Sequence, residues 1–172
     1  MQIEQYNSQF SKWFADPAIQ NGIIQSLGIL KDTKRIFFLG NGGSNSISSH
    51  MMEDYGKIGG FQTYAFSDAA LITCYANDYG YENAMAEWIK LHLQSGDLLI
   101  ATSSSGESKN IVNAAKVALE KGGKLITLTG FGEGNALSKM GSVNFYLNVR
   151  NYGMVECFHQ VILHVILDSL NG

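Results

Sequence analysis

Apolar positions follow two rhythms along this chain. Over residues 2–30, Phe10, Trp13, Phe14, Ile23, Ile24, Leu27 and Leu30 recur at helical spacing, with an interruption at Asp16-Pro17. Arg35–Leu39 (RIFFL) is apolar at consecutive positions and too short for a helix, which predicts a strand buried on both faces. Gly40-Asn41-Gly42-Gly43-Ser44 closes it, and helical spacing resumes to about Gly56. The succession then repeats. Residues 61–66 predict a weaker strand, and residues 71–93 predict helical segments around a break at Asn77-Asp78-Tyr79-Gly80. Residues 97–101 predict a buried strand running into Ser103-Ser104-Ser105-Gly106-Glu107-Ser108. Residues 111–121 predict a helix stopped by Gly122-Gly123. A strand over 124–129, a short helix over 136–140, a strand over 144–149 and a helix over 154–170 complete the series.

Strand, glycine turn and helix in repetition specify βαβ units, hence a parallel sheet covered by helices on both faces. The expected fold class is α/β, a doubly wound parallel sheet. One domain spans 1–172, with an N-terminal helical extension over 1–32 and an α/β core over 33–172. No linker, low-complexity segment or internal repeat interrupts it.

Composition narrows the partners. The chain has 172 residues, 12 Lys plus Arg against 15 Asp plus Glu, and a formal charge of −3. Only 16% of residues are charged, against roughly 25% in an average soluble domain. This balance, without any basic run, argues against nucleic acid as a partner. No apolar stretch reaches the roughly 18 residues of a membrane span, and the polar N-terminus lacks a signal-peptide pattern. Cys74 and Cys157, far apart in apolar contexts, are expected to be reduced core thiols in a cytoplasmic protein. The scarcity of charge has two explanations: a surface rich in Ser, Asn and Gln, or surface buried between subunits.

Two loops carry candidate chemistry. In open α/β sheets, ligands bind where strands deliver their C-terminal ends to loops and helix N-termini. In the loop Asn41-Gly42-Gly43-Ser44, glycines let the backbone approach a ligand while the next helix directs free N–H groups at it. In the second loop, Ser103, Ser104, Ser105 and Ser108 place four hydroxyls beside a helix N-terminus. Such a group can hold a phosphate without Lys or Arg. The plainer reading, that Ser and Gly merely punctuate turns, is weakened because each loop directly follows a buried strand. Neither loop has the G-x-G-x-x-G spacing or the Gly-Lys-Ser/Thr of a P-loop, so a small phosphorylated metabolite is expected and no nucleotide.

The ionisable groups suggest a second centre. His50 and Asp54 are spaced i, i+4 and share a helix face. Glu156 and His164, eight residues apart on the last helix, lie about 80° apart around it, two turns from each other. His164 sits within an apolar run and needs a partner or a task. Together these four could hold a divalent metal, or a carboxylate and a histidine could act as base and acid. His159, about 140° from His164, faces elsewhere.

The motifs, in this order and at these separations, resemble the sugar isomerase (SIS) domain. They are Gly40-Asn41-Gly42-Gly43-Ser44 with His50, Asn77-Asp78-Tyr79-Gly80, the serine loop, and Leu125-Ile126-Thr127-Leu128-Thr129-Gly130. More narrowly they resemble bacterial phosphoheptose isomerases, across essentially the whole chain. The resemblance implies a flavodoxin-like SIS fold. It implies interconversion of sedoheptulose 7-phosphate and D-glycero-D-manno-heptose 7-phosphate through an enediol. Residues matching Asn41, Gly42, Gly43, Ser44, Asn77, Asp78 and Glu156 contact substrate there, and those matching Ser103, Ser104, Ser105 and Ser108 hold the phosphate. Positions matching His50, Asp54, Glu156 and His164 form a zinc site, with Asp54 and His164 as the acid/base pair. Two residues depart from the better-known members, which carry Glu at the position of Asp54 and Gln at that of Glu156.

The resemblance also implies a homotetramer with sites between subunits. Independently, Phe10, Trp13 and Phe14 offer more apolar bulk than one small sheet needs, unless this segment caps its own domain. The rival readings are a non-catalytic SIS module that binds a phosphosugar or a protein such as a replication initiator, and an isomerase of another phosphosugar. A pure binding module has no need of His50, Asp54, Glu156 and His164 together.

Overall fold

Asp16-Pro17 divides the N-terminal stretch as its chemistry requires. Proline cannot continue a helix but starts one well, and the Asp16 carboxylate accepts the Ala18 N–H at 2.8 Å. The result is α1 (Gln2–Phe14) and α2 (Pro17–Lys31). The structure, a computed structural model, describes residues 2–170.

The strands β1 (Arg35–Leu39), β2 (Gln62–Ala65), β3 (Leu98–Ser103), β4 (Lys124–Gly130) and β5 (Val143–Leu147) form one sheet in the order β2-β1-β3-β4-β5. Every neighbouring pair is parallel. Connecting them are α3 (Gly43–Lys57), α4 (Ala69–Tyr79), α5 (Tyr81–His92) and α6 (Lys109–Glu120), a 3₁₀ turn at Leu137–Lys139, and the closing helix α7 (Tyr152–Asp168). This is the doubly wound arrangement that the βαβ rhythm predicts.

The strands read as apolar runs because both faces are covered. Ile36 and Phe38 of β1, with Leu98 and Ile100 of β3, face a core closed by α3 and α7. Phe37 and Leu39, with Leu99 and Ala101, face the opposite core, closed by α5 and α6. The chain order reverses between β1 and β3, which are neighbours in the sheet. Their C-terminal ends, Leu39 and Ser103, therefore open onto the crevice where folds of this class bind ligands.

Several expectations are corrected. The helix of 69–79 runs through Asn77 and Asp78 and ends only at Gly80 (φ 76°), so the two polar residues occupy its last turn. The turn at 137–139 is 3₁₀ rather than α-helical. Both cysteines are free as expected, but both are exposed. Cys157 lies on the outer face of α7, and no residue of α4 is buried, Cys74 included. The N-terminal aromatics cap their own domain: Trp13 is buried against Phe158 of α7, ring centroids 4.9 Å apart, with Phe10 and Phe14 around the same ring. They therefore give no argument for subunit contacts.

Candidate active site

The serine loop and the glycine loop meet over the switch point. A cleft of about 160 Å³ is lined by Asn41 and Ser44 from the β1 side, and by Thr102, Ser103, Ser104, Ser105 and Ser108 from the β3 side. Glu156 and Tyr152, one turn apart on α7, close it. No lining residue is Lys or Arg.

Helix capping shows how the cleft is supplied with donors. The helices α2, α4 and α7 have their first N–H groups taken by Asp16, Asp68 and Asn151 side chains. By contrast, α3 and α6, which border the cleft, have no side-chain cap. Their N-terminal N–H groups stay available to an anion. Gly42, the residue before α3, has φ 54° and ψ −123°, a conformation open to glycine alone in practice. Gly43 serves a second need: a Cβ there would overlap the Glu156 carboxylate. The Ser108 hydroxyl lies 3.3 Å from that of Ser103, and the buried Ser104 hydroxyl has no partner among the described residues.

The second centre lies further along α3 and α7. His50 Nε2 is 3.3 Å and His164 Nδ1 3.8 Å from Asp54 Oδ2, and the two imidazoles are 5.3 Å apart, centroid to centroid. One ligand atom from each of these three residues lies within 4.8 Å of the others. Two imidazoles and a carboxylate are a donor set suited to zinc or another first-row divalent ion. The Tyr55 hydroxyl, beside Asp54, donates to the Leu163 carbonyl, beside His164, at 2.9 Å. Burial, reinforced by the Asp168 charge, pushes the Tyr55 proton far above its usual range, so this bond between α3 and α7 persists at any working pH.

Of the residues singled out from sequence, Asn41, Ser44, Ser103, Ser104, Ser105, Ser108 and Glu156 come together in the cleft, with Gly42 and Gly43 shaping its floor. His50, Asp54 and His164 come together beside it. Glu156, expected as a fourth metal ligand, is not part of that cluster; its carboxylate lies over Gly43. Asn77 and Asp78 do not line this cleft. Exposed, they bond to each other at 3.0 Å, with Asp78 3.8 Å from the Cys74 sulfur. His159 does face elsewhere: fully buried, it meets the Thr129 carbonyl at 3.2 Å.

Sequence reasoning missed Thr102 and Tyr152. Tyr152 lies four residues before Glu156, a spacing that could have revealed it. Its ring packs edge-on against Phe131, centroids 4.8 Å apart. Phe131 has φ 59°, a strained backbone for a side-chain-bearing residue, and such strain concentrates at functional sites. A wider depression between α1 and the start of α7, lined by Glu4, Gln5, Ser8, Gln9, Val149 and Met154, holds no histidine. The convergent chemistry belongs to the serine cleft.

Comparison with known proteins agrees with the geometry. A family model described as the SIS domain matches residues 15–130. The phosphoheptose isomerase of Proteus mirabilis is 32% identical over 161 residues, covering 89% of this chain and 82% of that protein. That of Fusobacterium nucleatum is 32% identical over 144 residues, covering 80% and 73%. A solved phosphoheptose isomerase from Francisella tularensis superposes with a TM-score of 0.80 at 25% identity, covering 99% of this chain and 98% of that one. One from Neisseria gonorrhoeae reaches the same TM-score at 24% identity, which speaks for the fold. The chain belongs to the SIS domain family, among the relatives of the phosphoheptose isomerases.

Proposed function

We propose that this protein is an aldose–ketose isomerase of a phosphorylated sugar, with sedoheptulose 7-phosphate and D-glycero-D-manno-heptose 7-phosphate as the interconverted pair. The observation that carries this reading is the separation of two centres on the same helices. His50 lies six residues beyond Ser44 on α3, and His164 lies eight beyond Glu156 on α7, about 9 and 12 Å of helix rise. An extended seven-carbon sugar phosphate, built of single bonds of roughly 1.5 Å, reaches about 10 Å. With the phosphate among the serines, carbons 1 and 2 reach the histidines. A three-carbon phosphate would not span the gap. The relatives named phosphoheptose isomerase supply the same substrate class.

The residues then divide the work. Hydroxyls of Ser103, Ser104, Ser105 and Ser108, with the open N-termini of α3 and α6, hold the phosphate. Asp54 takes the proton from the hydroxyl-bearing carbon next to the carbonyl and returns it to the neighbouring carbon. His164 gives a proton to the carbonyl oxygen and receives one from the hydroxyl, so the cis-enediol forms and collapses with no net proton change. Glu156 and Asn41, which line the cleft beside the serines, contact the sugar next to its phosphate. His50, Asp54 and His164 would hold a zinc ion, which when bound polarises the substrate oxygens as a Lewis acid.

Apolar residues left exposed, Ile3, Ile24 and Leu91 among them, and the unburied helix α4 support a homotetramer. Asn77 and Asp78, turned away from the chain's own cleft, are then available to a neighbour's site. A phosphorylated sugar substrate supports a cytoplasmic location. Convergence of His50, Asp54 and His164 favours the enzyme over a binding module, which needs no such group.

The test is incubation of the purified protein with sedoheptulose 7-phosphate, with and without a chelator, following the aldose product by NMR. Conversion is expected, slowed by the chelator. No conversion under either condition overturns the reading.

A further inference from the structure

The carboxamide of Asn41 makes three hydrogen bonds to two residues outside the set discussed so far. Its Nδ2 donates to Asn110 Oδ1 at 3.0 Å, and Asn110 Nδ2 donates back to Asn41 Oδ1 at 2.9 Å. The Tyr81 hydroxyl adds a third bond to the same Oδ1 at 2.8 Å. Asn110 is buried, on the first turn of α6, two residues beyond Ser108. Tyr81 opens α5 directly after the Gly80 break. The turn after β1, the serine loop and the α4–α5 junction are thereby tied at one point.

The chemistry fixes which way each amide faces. The Asn110 nitrogen also lies 3.6 Å from the Met85 sulfur, and a thioether only accepts. Asn110 therefore turns its N–H groups toward Met85 and Asn41 Oδ1, and its oxygen receives the Asn41 N–H. Facing an oxygen, the Tyr81 hydroxyl must donate. Both lone pairs of Asn41 Oδ1 are then used, and one of its two N–H bonds.

We propose that Asn110 and Tyr81 are positioning residues for the substrate: they hold Asn41 so that it offers the cleft one N–H donor and no free acceptor. Asn41 then meets only an oxygen lone pair of the ligand, a hydroxyl, carbonyl or phosphate oxygen. It discriminates against a group that arrives as a hydrogen-bond donor alone. This inference rests on the phosphosugar reading above.

The exposed, isosteric change Tyr81→Phe is the decisive variant, because Asn110→Ala can fail to fold. Released from one of its holding bonds, Asn41 presents its N–H less well, and KM for sedoheptulose 7-phosphate rises by up to the worth of that one substrate hydrogen bond, about two- to tenfold. The proposal expects kcat to stay within twofold and Tm to fall by no more than about 4 °C, the cost of one hydrogen bond. If Tyr81 acts through Asn41, adding Tyr81→Phe to Asn41→Ala changes KM no further. An unchanged KM in Tyr81→Phe, or the same fold-change in both backgrounds, overturns the proposal. A second readout needs no substrate. The Asn41 side-chain amide signal in ¹⁵N-labelled protein, identified by its absence in Asn41→Ala, should shift and exchange faster in Tyr81→Phe. An unmoved signal overturns the clamp. Should the wild type not convert sedoheptulose 7-phosphate, the isomerase reading falls, and the clamp stands or falls on this signal.

Discussion

Single residues in this protein are set by what they lack as much as by what they carry. Gly43 leaves room for the Glu156 carboxylate, and the cleft is lined with hydroxyls where an anion site would usually carry a cation. Ser105→Ala should therefore raise KM roughly tenfold, the loss of one hydrogen bond to a charged group, with kcat little changed. Steady-state kinetics decide it, and an unchanged KM would remove Ser105 from the phosphate grip. His159 gives a prediction about pH. Burial pushes its pKa down to about 4, partly offset by the hydrogen bond to the Thr129 carbonyl. The unfolded chain, with an ordinary value near 6.5, binds the proton first. Stability is thus complete above about pH 6.5 and declines as pH falls toward 4, by an amount on the order of 3 kcal/mol. Urea titrations between pH 7 and 4 should show the slope in wild type, and a shallower one in His159→Asn. Equal slopes would contradict the assignment.

Elements place these residues, and their placement was unevenly legible. Arg35–Leu39 reads as a buried strand because RIFFL leaves no polar face, and the structure has it over the same residues. The two loops were legible as a site because each follows such a strand, and strand order then puts β1 beside β3. Asn77 and Asp78 misled. They look like turn formers, yet the helix absorbs them and yields only at Gly80. The pairing of α3 with α7 was beyond the sequence. Periodicity puts His50 with Asp54, and Glu156 near His164, but cannot show which helices touch. The contact is made by packing and by the Tyr55 hydroxyl on the Leu163 carbonyl. Tyr55→Phe should cost about 1 kcal/mol, a fall in Tm of roughly 2–4 °C. Because Asp54 and His164 flank that bond, kcat should fall while KM for the phosphosugar holds. A calorimetric scan with kinetics would show it; a Tm loss without a kcat loss would mean that the bond holds the fold alone.

At the scale of the whole molecule, the scarcity of charge acquires a reason. The site needs few cations, and α4 and side chains such as Ile3, Ile24 and Leu91 present apolar surface that a lone chain would leave to water. Light scattering should return four times the chain mass of 18.8 kDa; a monomer would instead point to a surface that tolerates these exposed side chains. The cleft lies at the C-terminal ends of β1 and β3 and the histidine cluster beside it between α3 and α7, so substrate grip and proton transfer should be separable by mutation. The most direct measurement is the rate of sedoheptulose 7-phosphate isomerisation by wild type and by Asp54→Asn at matched Tm. The account predicts conversion by wild type and a loss of at least about a hundredfold in the variant, the scale of one acid–base group. Equal rates in the two proteins would contradict it.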